Sequence, residues 1–133
     1  MDCLNKKSGF LGISELSSDS RDIENAVKEG NEQAALAQKM FVNSVVKYIS
    51  QYYVELGGCD VIAFTAGIGE NSAPTRLEII EQLACLGIKL DVEANNVRGE
   101  VKCLSSADST SMVYLVPTNE ELMIAMDTLA LIK

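Results

Sequence analysis

Between Asn31 and Leu56, apolar residues return at three- and four-residue intervals. Ala34, Ala37, Phe41, Val45, Tyr48, Ile49, Tyr52 and Leu56 share one stripe, with Gln38, Lys39, Lys47, Gln51 and Glu55 elsewhere, and the spacing predicts one long core helix. Helical spacing without basic neighbours makes Tyr48, Tyr52 and Tyr53 packing residues instead of a stacking platform. Asp19 to Glu29 carries Ile23, Ala26 and Val27 on one side ahead of Gly30 and reads as a short helix. Met1 to Ser18, punctuated by serine and glycine around Phe10, Leu11, Ile13 and Leu16, reads as extended or loop.

Gly57-Gly58 breaks the long helix and feeds Val61 to Thr65, an uncharged β-rich run that suits a strand covered on both faces in the middle of a sheet. Ala73 to Leu86 is predicted helical, with Ser72 as N-cap, Pro74 in the first turn, Leu77, Ile80, Leu83 and Ala84 inward, and Gly87 at the C-cap. A short extended piece, Ile88 to Leu90, leads to one or two helical turns over Asp91 to Val97. Strands at Val101 to Leu104 and Met112 to Val116 are joined by the polar Ser105 to Ser111 loop. Thr118 and Glu121 have capping-box spacing for a helix to about Ile132, with Leu122, Ala125, Met126 and Leu129 along its inner side. The alternation of helices and strands is that of an α/β fold.

Composition narrows the function classes. At 133 residues and 47% hydrophobic, residues 1–133 are expected to form a single domain around one core. A net charge of -8 argues against nucleic acid or an anionic membrane as partner, yet leaves room for one Mg²⁺-bound nucleotide, which senses only its local site. No apolar run approaches transmembrane length, and Met1 to Lys7 has no apolar signal-peptide segment, so a soluble chain is expected. Cys3, Cys59, Cys85 and Cys103 lack Cys-x-x-Cys spacing and read as thiols in a reducing cytoplasm. Histidine is absent, which removes the commonest general base and the Ser-His and Cys-His triads.

The candidate chemistry sits where the Val61 strand meets the helix capped by Ser72. Gly67 and Gly69 strip side chains from that turn, so main-chain amides can face an anion such as phosphate at a helix N-terminus. The turn lacks the Walker lysine and reads G-x-G-x-x-S where a dinucleotide fingerprint has a third glycine, so a phosphate cradle and an ordinary tight turn both remain open on spacing alone. Arg76 either reaches an anion there or pairs in solvent with Glu78 or Glu81, and Asp19 or Ser20 can simply cap a helix. Glu120, in the first turn of the last helix, is on position alone a helix-dipole residue.

The run Phe64-Thr65-Ala66-Gly67-Ile68-Gly69-Glu70-Asn71-Ser72 resembles the corresponding segment of the acetate kinase family, which includes propionate kinases. Leu4 to Ser14 with Ser17 to Asp22, and Val116 to Ala125, resemble two further family segments in the same order. Together the resemblance runs through nearly the whole chain and matches the last third of family members. Ser20, Ser44 and Ser50 depart from it: the family often has a larger apolar residue, an arginine and a glycine there.

The resemblance implies an actin, sugar kinase and heat-shock ATPase (ribonuclease H-like) type of domain, a mixed sheet flanked by helices. It implies the carboxyl-terminal, nucleotide-side domain, which also provides a homodimer contact. Asp19, Ser20 and Arg21 would touch the adenosine side of ATP or ADP, Gly67, Ile68, Gly69, Glu70 and Asn71 the phosphate side, and Glu120 the Mg²⁺. The family reaction is reversible phosphoryl transfer between ATP and a short carboxylate, giving an acyl phosphate. Its catalytic groups match no residue here, so the chain alone is expected to be inactive. The alternative is a non-catalytic module that folds and dimerises through its helices. A Rossmann-type redox domain would need Asp91 at the end of a strand, and the segment around it makes a poor one.

Overall fold

The structure, a computed structural model, describes residues 2–132. Two short helices, α1 (Asp2–Lys6) and α2 (Gly9–Ser14), precede α3 (Ser20–Lys28) and the long α4 (Glu32–Glu55). Strand β1 (Val61–Phe64) leads into α5 (Ala66–Asn71) and α6 (Ala73–Gln82), and a 3-10 turn at Ala84–Leu86 ends on Gly87 at φ 79°. After α7 (Val92–Asn95) come β2 (Lys102–Cys103), β3 (Met112–Leu115) and α8 (Glu120–Ile132). The sheet is mixed, as expected. β3 is central, parallel to β1 with Val61 opposite Met112, and antiparallel to β2 with Cys103 opposite Tyr114.

The main core gathers Val42, Phe64, Ile79, Ile80, Leu83, Ile88, Leu104, Val113 and Leu115 between α4, α6 and one face of the sheet. A smaller cluster of Ile23, Ala26 and Ala34 ties α3 to the start of α4, and the Phe10 ring lies 5.1 Å from that of Phe41. Side-chain caps set four helix starts, at Asp19 and Ser72 as the sequence suggests and also at Asn31 and Asp91. Asp19 accepts from the Arg21 amide, Asn31 from that of Ala34, Ser72 from that of Thr75 and Asp91 from those of Glu93 and Ala94. No helix among the described residues is long and apolar enough to cross a membrane.

Several expectations fail on packing. The first 18 residues are helical over Asp2–Lys6 and Gly9–Ser14 and are not a loop. Ser8 and Ser14 donate to the carbonyls four residues back, at 2.5 and 2.6 Å, so serines that look like breaks fold into the helical turns. Gly12 allows the two helices to meet, because a Cβ there would lie 2.8 Å from the Lys7 carbonyl oxygen. β1 is an edge strand, not a central one, with Ala63 exposed and Val61 51% exposed.

On α4 the inward line runs through Gln38, which is buried and donates to Thr75 Oγ1 at 2.9 Å, and ends on Tyr53. Tyr48 and Tyr52, one position off that line, are exposed. Ala84, expected inward, is also exposed. α8 is a helix as predicted but buries no residue, and its expected inner side lies in solvent. Its cap is Asn119, whose Oδ1 accepts from the Leu122 amide at 2.9 Å. Thr118 is therefore not the cap that the spacing to Glu121 suggests.

Candidate functional site

α5 is the hub. Thr65 enters it in extended geometry, and Ala66 takes a left-handed φ of 59°. The turn thus needs positive φ at an alanine, while Gly67 and Gly69 lie inside the short helix. The role of Gly67 is openness: nothing lies within 4 Å of where its Cβ would be. No hydrogen bond from the first-turn amides of Gly67 and Ile68 is found among the described residues. The residues expected to offer bare amides therefore do so over part of their length, and from a helix instead of a loop.

Two clefts flank this helix. One, about 440 Å³, is lined by Ser20, Arg21 and Glu24 of α3, by Gly67, Ile68, Asn71 and Ser72, and by Arg98 beyond α7. The other, about 400 Å³, is lined by Ala66, Gly67 and Glu70 and by Thr118 through Glu121 at the start of α8. Gly67 borders both. Of the residues singled out in the sequence, Ser20, Arg21, Gly67, Ile68 and Asn71 meet in the first cleft, and Glu70 and Glu120 join Gly67 in the second. Asp19 and Gly69 line neither. Asp19 accepts from the Arg21 amide at 2.9 Å and from Arg21 Nε at 3.0 Å, so it aims a guanidinium whose side chain is 84% exposed. The side-chain hydrogen bond from Arg21 holds the Asp19 carboxyl down at about 2.

Gly69 faces the core, and its carbonyl is held by Arg76. This arginine is neither the anion ligand nor the solvated ion-pair partner that the sequence allows, since it is fully buried. It donates to the carbonyls of Gly69 (2.8 Å), Glu70 (3.1 Å), Asn95 (2.7 Å) and Val97 (3.0 Å) and to Asn95 Oδ1 (2.8 Å). The carbonyl end of α5 is thereby bolted to the loop after α7. Burial, and after it the charge of Arg98, pushes the Arg76 guanidinium below the usual arginine range.

The other wall is held more lightly. Glu70 Oε1 accepts from the Thr118 amide at 2.8 Å, which lowers the Glu70 carboxyl from its ordinary value. The Thr65 and Thr118 hydroxyl oxygens lie 2.7 Å apart, and the Ala66 amide donates to Thr118 Oγ1 at 3.3 Å. These bonds set Glu120 beside α5, its carboxylate outside every ion pair found among the described residues. No group of three or more His, Cys, Asp or Glu able to cage a metal exists among the described residues. A single free carboxylate suits Mg²⁺, which takes most of its oxygens from phosphates and water.

Sequence reasoning passed over Glu24, Arg98 and Thr118. Glu24 and Arg98 lie outside any motif, and only the fold brings them to the glycine turn, whereas the spacing of Thr118 to Glu121 reads as a helix cap.

The Acetokinase family profile matches residues 1–126. An acetate kinase from Treponema denticola is 57% identical over 130 residues, covering 98% of this chain and 33% of that protein. The crystal structure of Porphyromonas gingivalis acetate kinase superposes with a TM-score of 0.90 at 44% identity, covering 99% of this chain and 33% of that one. A propionate kinase from Francisella tularensis gives a TM-score of 0.85 at 37% identity, over 93% of this chain and 31% of the other. The chain thus spans about a third of the length of the relatives it matches.

Proposed function

The chain belongs to the Acetokinase family, and we propose that it forms the carboxyl-terminal, nucleotide-side domain of an acetate kinase. In this reading ATP or ADP lies along α5. Its adenosine side meets Ser20 and the Arg21 that Asp19 aims, and its phosphates meet the open amide end at Gly67 and Ile68, flanked by Glu70 and Asn71. Gly69 contributes by keeping the helix close against Phe64. Glu120 would hold Mg²⁺ together with phosphate oxygens and water. The metal, when bound, neutralises charge on the transferring phosphoryl group.

The reaction served is reversible transfer from ATP to acetate or a similar short carboxylate, in a cytoplasmic homodimer. No residue of this chain is assigned a catalytic role, and the chain by itself is expected to form no acetyl phosphate.

The observation that carries this reading is the position of Gly67 on both clefts, one bordered by Arg21 and the other by Glu120. Calorimetric titration of Mg·ATP into the chain and its Gly67→Val variant tests it. The added side chain enters open space, so melting should change little while ATP affinity falls at least about tenfold, roughly 1.4 kcal/mol. Equal affinity in the two proteins would sink the reading. Glu120→Gln should in turn weaken binding with Mg²⁺ present and leave metal-free binding unchanged.

A second reading is a module that associates through its helices without useful nucleotide binding. It draws on α8, where Leu122, Ile124, Met126 and Leu129 are each at least half exposed. Concentration-dependent sedimentation with no heat from Mg·ATP would favour it.

A further inference from the structure

We infer that the free edge of β1 and the outer face of the sheet are the surface on which the rest of an acetate kinase docks, supplying one further strand beside β1 and an apolar layer over Val61, Ala63, Met112 and Tyr114. The inference rests on the carboxyl-terminal-domain reading above and deepens it, without depending on where the nucleotide lies.

Backbone pairing defines the edge. The Met112 amide donates to the Asp60 carbonyl at 2.8 Å and the Val116 amide to the Phe64 carbonyl at 2.9 Å, with Ile62 opposite Val113 between them. In a parallel ladder alternate residues of a strand bond to the same neighbour, so the amides and carbonyls of Val61 and Ala63 point away from β3. β1 ends the strand order, and no other strand among the described residues pairs there. Sheet edges that face water are commonly guarded by lysine, proline or a bulge. β1 has none of these, since it reads Val-Ile-Ala-Phe and pairs residue for residue.

Side-chain direction defines the layer. Ile62, Phe64, Val113 and Leu115 share the face that meets the main core. The opposite face carries Val61, Ala63, Met112, Tyr114 and Cys103, with no charge among them. Val61 and Met112 are 51% and 52% exposed, and Ala63 and Cys103 are exposed too. A strand without charge on either side is the pattern of one covered on both faces. β1 thus has the sequence of an interior strand in the position of an edge strand.

One occupant satisfies edge and face together. A second copy that pairs edge to edge extends the sheet but leaves its outer face bare, and one that packs face to face leaves the edges open. Each copy also carries a net charge of -8, which opposes self-association. The relatives hold this fold within a chain about three times as long, and that remaining length is enough to provide both strand and layer.

Hydrogen exchange on two proteins tests this: the 133-residue chain, and a chimaera that joins it behind the part of the Treponema denticola acetate kinase that it does not match. The Val61 and Ala63 amides should exchange at least about a hundredfold more slowly in the chimaera. Val61→Lys should move the melting of the chain alone by less than about 3 °C, because the side chain is half exposed, and that of the chimaera by at least about 6 °C. Equal exchange in the two proteins, a lysine tolerated equally in both, or a chimaera whose added part stays unfolded overturns the inference. So does protection of those amides in the chain alone that grows with its concentration, which would assign the edge to a second copy. A chimaera that forms acetyl phosphate while Val61 and Ala63 exchange freely sinks this inference alone. One that protects them but forms no acetyl phosphate leaves the docking surface standing and sinks the kinase reading.

Discussion

The two walls that flank α5 are built in opposite ways. On one side α6 and the loop after α7 are joined to it by a buried guanidinium that satisfies four carbonyls and one side-chain amide. On the other, Thr118, just ahead of α8, makes exposed hydrogen bonds to Glu70, Thr65 and Ala66. A buried polar group costs free energy whenever a partner is lost, whereas an exposed one can turn to water. The first wall is therefore held by bonds that are costly to break, and the second by bonds that water can replace. In the proposed nucleotide reading, Glu120 would sit on the lightly held wall.

Arg76→Ala would break the comparison most forcefully. It strands the carbonyls of Gly69, Glu70, Asn95 and Val97, and a loss of about 3 kcal/mol of unfolding free energy is expected from a falling denaturation midpoint at unchanged slope. A loss under about 1 kcal/mol would show that the wall is not held as described. Thr118→Val keeps the amide that Glu70 accepts but removes the hydroxyl. It should cost about 1 kcal/mol or less and appear as faster hydrogen exchange over residues 118–122, with melting nearly unchanged.

Acid sharpens the contrast further. The folded Asp19 carboxyl titrates at about 2 against an ordinary 3.8, so its stabilising pairing with Arg21 is complete above that ordinary value and disappears as pH falls toward 2. Asp19→Asn should flatten the fall in melting temperature in that window. Unchanged acid sensitivity would show that the pairing with Arg21 does not persist in solution. The smallest effect is expected on α8, where Leu129→Ala should shift unfolding by no more than about 0.5 kcal/mol. A cost above about 2 kcal/mol would mean that α8 packs against something in solution.

Much of the fold was legible because local signals agreed. Asn31, Ser72 and Asp91 mark helix starts through their side chains, Gly87 stops the chain in a left-handed conformation, and Ile79, Ile80 and Leu83 recur at helical spacing. The glycine turn stood out for a related reason, since Gly67 leaves a gap that any other side chain would fill. What misled was environment. Serine in the first 18 residues looks the same whether it ends a helix or bonds back into one. The β1 run reads as a covered strand although it sits at the sheet edge. Arg76 carried no sign of burial because its partners are backbone carbonyls, which every sequence has.

The amino-acid sequence by itself determined where most helices and strands form from α3 onward and that an open, glycine-bearing segment follows β1, because caps, periodicity and glycine act within a few residues. Only the tertiary structure decided which side chains the turn faces. Arg21, Arg98 and Glu120 lie far apart in the chain and come to α5 through the packing of α3 on α4, the grip of Arg76 on Val97, and the bonds from Thr118. Those contacts depend on how buried surfaces fit together over long sequence separations, and no local pattern encodes that fit.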